Sequence, residues 1–69
     1  MSERLVNMLK AERERLGLTQ AALAERVGVS RKTINTVENG VFVPSTLLAL
    51  KLAAALERPV EALFALAGD

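Results

Sequence analysis

The chain has 69 residues with no cysteine and no histidine, which excludes disulfides and the usual zinc ligand sets as reinforcement. Apolar residues make up 51% and charged residues 25%, a globular rather than a disordered balance. A chain this short buries only about 60% of its extended surface, so very regular helices or a second copy must add stability. Its net charge of +1 is no basic footprint, and a nucleic-acid partner would require the positive charge gathered on one face.

Alanine and leucine dominate, both strong helix formers, and five apolar segments separated by short breaks predict an all-α, five-helix fold occupying residues 1–69 as one domain. The first predicted helix covers residues 3–16, with Ser2 as its cap, Leu5, Leu9 and Leu16 at helical spacing, and Gly17 as its end. The second covers 20–27, capped by Thr19, with Leu23, Ala24 and Val27 on one face and Gly28 closing it. The third runs from 31 to about 39, between a Ser30 cap and Gly40. A glycine-containing turn of about three residues joins the second and third, which is helix-turn-helix spacing over about 19–39. Residues 41–44 form a loop, because Pro44 bars the residue before it from helix. Ser45 caps a fourth helix over 46–56, and a fifth starts at Pro59 and reaches about residue 66.

The fourth helix is apolar almost all round, and a domain of this size cannot surround it. A homodimer seam made of Val41, Phe42, Val43, Leu47 and Leu50 resolves this. The competing explanation is a locally apolar, alanine-rich surface. In the third helix, Ile34, Val37 and Glu38 fall on one side. Lys32, Asn35, Thr36 and Asn39 fall on the other, with Arg31 at the exposed N-terminal end. That outer face is polar and free of acids, as a helix in a DNA major groove needs to be. Arg31 or Lys32 has the donors for guanine O6 and N7, Asn35 matches adenine N6 and N7, and Thr36 suits a thymine methyl or a base edge. Thr19 and Gln20, opening the second helix, are placed to hold a phosphate. Any surface helix also shows a polar outer face, and capping alone explains Ser30 and Thr19. Glu38, an acid on the inward side, requires a basic partner, and periodicity leaves Lys10, Arg13 and Arg15 open.

The stretch LGLTQAALAERVGVSRKTINTVENG, residues 16–40, resembles the helix-turn-helix of Cro/C1-type (Xre-like) transcriptional regulators. The match includes Gln20, Ala24, Gly28, Val29, Ile34, Val37 and the closing Glu38-Asn39-Gly40. PSTLLALKLAAAL followed by PVEALF is similar to the short, one-domain members of that family. The resemblance implies a compact five-helix fold that binds operator DNA as a homodimer. It places Gln20 and Asn39 at phosphate-contacting positions and Arg31, Lys32 and Thr36 at base-reading positions, with Ser30 and Asn35 beside them. It also selects Arg13 as the partner of Glu38, an orienting strut whose one-sided loss costs ~3–5 kcal/mol. Two departures stand out. Position 41, often basic in the family, is Val41, and the fourth helix ends in Glu57-Arg58 where glycine is usual. Short relatives sometimes add a terminal strand, and residues 65–67 carry no pattern that decides the matter.

The expected partners are therefore double-stranded DNA and a second copy of the chain, with no cofactor, metal, membrane or small-molecule effector indicated. No apolar run is long enough to span a bilayer, and MSERLVNMLK is too charged for a signal-peptide core, so the expected location is cytoplasmic. The main alternative is a protein-interaction module, an antitoxin or adaptor using the apolar 41–50 surface. An enzyme is disfavoured: there is no His, Cys, Tyr or Trp and no phosphate-cradling glycine loop. Glu12, Glu14, Glu25, Glu57 and Glu61 read as solvated surface acids.

Overall fold

The computed structural model describes residues 3–68. Its elements are β1 (Glu3–Asn7), α1 (Leu9–Arg15), α2 (Gln20–Val27), α3 (Arg31–Glu38), α4 (Thr46–Leu56), α5 (Val60–Leu63) and β2 (Phe64–Gly68). Three helices start where a hydroxyl side chain takes an otherwise orphaned backbone N–H. Thr19 accepts from Ala22 at 3.0 Å, Ser30 from Thr33 at 3.1 Å and Ser45 from Leu48 at 3.1 Å. Gly28 ends α2 with φ 75°, a left-handed conformation natural to glycine, and its N–H returns to the Ala24 carbonyl at 2.9 Å. Val29 repeats this at 3.0 Å, so the turn between α2 and α3 is fixed by backbone bonds.

Leu9 of α1, Leu23 and Val27 of α2, Ile34 and Val37 of α3, Leu48, Leu52 and Leu56 of α4, and Leu63 of α5 form one buried cluster. α4 contributes a single face to it, while Leu47 and Leu50 stay exposed. The Cα radius of gyration is 11.5 Å, close to the about 11 Å expected for a compact chain of this length.

Two expectations need correction. The first helix does not begin at residue 3: Glu3–Asn7 is a strand, and α1 starts at Leu9. The fifth helix does not reach residue 66: α5 is one turn long and gives way at Phe64 to β2. The two departures share a cause. β1 and β2 pair antiparallel, from Glu3↔Gly68 to Asn7↔Phe64, so each segment satisfies one edge of its backbone in the other. Asn7 adds a local reason, since its Oδ1 accepts the Leu9 N–H at 3.4 Å and favours helix initiation there. Ser2, expected as the first cap, lies outside the described residues. The sheet is a small addition to a helical fold.

The departure at the end of α4 has a definite geometry. Glu57 takes the left-handed conformation usual for glycine, with φ 57° and ψ 41°. The N–H of Arg58 then reaches the Ala53 carbonyl at 3.1 Å, closing the helix as a glycine would.

Candidate nucleic-acid interface

α3 opens with no acid in its first turn and carries Arg31, Lys32 and Asn35 exposed along one side. Thr36 is half-buried, and its hydroxyl donates to the Thr33 carbonyl at 2.9 Å, which leaves the methyl and the hydroxyl oxygen's acceptor capacity. Thr19, Ser30 and Asn39 are exposed around this face, and Gln20 is half-buried beneath it. Thr33 belongs to the same surface, which sequence reading overlooked: its hydroxyl lies 2.9 Å from that of Ser30. The signal available was its position three residues after a capping serine.

Glu38 is the only acid in α3, and its carboxylate is turned inward with the side chain 3% exposed. Arg13 Nε donates to Glu38 Oε2 at 2.7 Å and Arg13 Nη2 donates to Oε1 at 3.3 Å. Arg13 Nη1 also donates to the Leu18 carbonyl at 2.7 Å. The bond to Glu38 raises the Arg13 pKa further above its ordinary value, against the opposing effect of burial. Of the three basic candidates in the first helical segment, Arg13 is the one in contact. Lys10 is exposed, and Arg15 turns instead to Glu12 at 2.6 Å and the Leu56 carbonyl at 3.0 Å.

The buried pair extends to the outer face through amides. Gln20 Nε2 donates to Glu38 Oε1 at 3.0 Å, Asn35 Nδ2 to Gln20 Oε1 at 3.5 Å, and Asn39 Nδ2 to Asn35 Oδ1 at 3.0 Å. Side chains at expected base-reading and phosphate positions are thus anchored to one another. Both ends of the Gln20 amide are engaged in the free protein.

The expected seam residues Val41, Phe42, Val43, Leu47 and Leu50 are all exposed, as are Leu5 and Leu66, which pair across the terminal sheet. Among the described residues no group of three or more metal-ligating side chains comes together, and no helix is long and apolar enough to cross a membrane.

The helix-turn-helix family model matches residues 9–63, from α1 through α5. The chain belongs to the Cro/C1-type helix-turn-helix family. This is a family of DNA-binding transcriptional regulators and not an enzyme class. An uncharacterized HTH-type transcriptional regulator of Methanothermobacter thermautotrophicus is 48% identical over 63 residues, covering 90% of this chain and 91% of that protein. The uncharacterized HTH-type transcriptional regulator YgzD of Bacillus subtilis is 45% identical over 58 residues, covering 84% and 88%. Among solved structures, the restriction-modification controller protein C.AhdI from Aeromonas hydrophila superposes with a TM-score of 0.75 at 35% identity, covering 78% of this chain and 82% of that one. The β1–β2 sheet lies outside the matched span, at the two ends of the family's helical core.

Proposed function

We propose that this family member is a cytoplasmic repressor that reads one double-stranded operator sequence as a homodimer, with α3 in the major groove. The observation that carries this reading is the outer face of α3, where Arg31, Lys32 and Asn35 stand exposed and the helix's one carboxylate is withdrawn onto Arg13. A helix in the groove passes between phosphates, so an unsequestered acid there would oppose binding. In this reading Arg31, Lys32, Asn35 and Thr36 meet base edges, Thr36 through its methyl or its hydroxyl oxygen. Thr19, Gln20, Ser30 and Asn39 hold phosphates, Gln20 after exchanging an internal partner for DNA. The exposed apolar residues Val41, Phe42, Val43, Leu47 and Leu50 join two copies, setting the recognition helices about 34 Å apart, one turn of B-DNA. The operator is then an inverted repeat.

Selection from a random double-stranded pool with the untagged protein at near-physiological salt tests the reading. Enrichment of an inverted repeat with half-sites about 10 bp apart is the expected result. A single enriched half-site removes the symmetric dimer. No enrichment removes sequence-specific DNA recognition and favours a protein partner on the apolar 41–50 surface. On the enriched site, Arg31→Ala is expected to relax the preference at one base position by roughly 1–3 kcal/mol. A uniform weakening across all sequences would assign Arg31 to phosphate instead.

A further inference from the structure

We infer that Asn7 is a positioning residue for DNA recognition: it pins the C-terminal end of α3 to the terminal sheet and so fixes the orientation of the base-reading side chains. The inference rests on the DNA-reading role of α3 proposed above. Asn7 ends β1, and its Nδ2 donates to the Val37 carbonyl at 3.1 Å, 30 positions along the chain. Among the described residues, it is the one side chain from outside α3 and its flanking turns to bond the α3 backbone. Val37 lies in the last turn of α3, where helix carbonyls have no partner further along the helix. The Gly40 N–H also donates to this carbonyl at 3.1 Å, so the carbonyl accepts from both Gly40 and Asn7.

Asn7 is itself held on several sides. Its Oδ1 accepts the Leu9 N–H at 3.4 Å, its backbone pairs with Phe64, and the Met8 N–H donates to the Leu63 carbonyl at 2.7 Å. Leu63 is fully buried and Phe64 packs against the core. A rigid base therefore stands behind one hydrogen bond to the recognition helix. The other side-chain anchors of α3, from Arg13 to Glu38 and between Gln20 and Asn35, act on side chains and leave the backbone at this end untouched.

The leverage follows from helix dimensions. An eight-residue helix is about 12 Å long, so a tilt of about 5° moves one end by about 1 Å. Bidentate base contacts need donor–acceptor distances within a few tenths of an ångström, whereas flexible cations on phosphates follow such a shift. Loss of the Asn7 bond should therefore erode discrimination between sequences before it erodes general DNA affinity.

The test uses the full chain with Asn7→Asp, which keeps an oxygen for Leu9 but loses the donor to Val37, and Asn7→Ala, which loses both. The probes are the duplex enriched by the selection described above and a scrambled duplex of the same composition. Both variants are expected to lose about tenfold in the affinity ratio between these duplexes, while Asn7→Ala keeps its affinity for the scrambled duplex within about twofold. In the free protein, the amides of Gly40, Val41 and Phe42 should exchange with solvent about tenfold faster, with those of α4 unchanged. If Asn7→Ala fails to fold, Asn7→Asp decides. An unchanged ratio in a folded variant, even one with a lower melting temperature, overturns the inference and leaves Asn7 a purely structural bond. Wild-type protein that prefers no duplex overturns the DNA reading and the recognition role together, and the exchange rates separate that failure from absence of the Asn7 bond.

Discussion

Glu57 is the one non-glycine residue with positive φ among those described. A left-handed backbone costs an L-residue roughly 1–2 kcal/mol, because Cβ crowds the following carbonyl. Glycine removes that strain but returns about 0.5–1 kcal/mol through its freer unfolded state. Glu57→Gly is accordingly expected to stabilise the protein by about 0.5–1 kcal/mol, a rise of roughly 2–8 °C in melting temperature followed by circular dichroism. A fall would mean that the glutamate side chain contributes more than its backbone strain costs.

At the scale of elements, α1 is tied to the end of α4 by a small ionic network. Arg15 Nε donates to Glu12 Oε1 at 2.6 Å, Arg58 Nε donates to the same oxygen at 3.1 Å, and Arg15 also donates to the Leu56 carbonyl. The hydrogen bonds from Arg15 and then Arg58 lower the Glu12 carboxyl below its ordinary range, overcoming a small opposing effect of desolvation. A depressed folded pKa stabilises the protein above the unfolded value, about 4.3, and that stability is lost as pH falls through the lower folded value. Glu12→Gln should therefore melt below the wild type at pH 7, with the gap closing as pH falls below about 4.3 and through the lower folded value. A gap that stays constant over that range would show that the charge of Glu12 plays no part. Both arginine partners are solvent-exposed, so added salt should also narrow the gap.

At the scale of the whole molecule, the exposed apolar surface is the feature that the proposed dimer would cover. Leu47 and Leu50 are 65% and 54% exposed, so a charge there costs the single chain little. The proposed seam gives them a different role in a pair. The double variant Leu47→Asp, Leu50→Asp is expected to keep its helical spectrum and sediment as a 7.4 kDa species. The wild type at tens of micromolar is expected to sediment at twice that mass. Operator affinity of the double variant should fall with the dimer, because two half-sites no longer bind as one unit. A wild type that remains monomeric under these conditions would remove the seam.

The sequence by itself determined the parts that depend on near neighbours. Thr19, Ser30 and Ser45 bond backbone N–H groups three residues on, and Gly28 sets a turn from its own backbone freedom. The period of Ile34 and Val37 placed the buried side of α3, and with it the polar side that faces outward. Only the tertiary structure decided the rest. Residues 3–7 pair with 64–68 across nearly the whole chain, and no local pattern marks such a pairing when either segment has an acceptable helical alternative. Helical spacing left Lys10, Arg13 and Arg15 equivalent as partners for Glu38; the family resemblance chose Arg13 from the sequence, and the packing of α1 against α3 supplies the physical reason. Asn7 carried no periodic signal at all, because its role is a bond to a carbonyl 30 residues away. Local chemistry is written in residue type and spacing, whereas long-range hydrogen bonds and ion pairs depend on the three-dimensional packing of elements that each look alike in sequence.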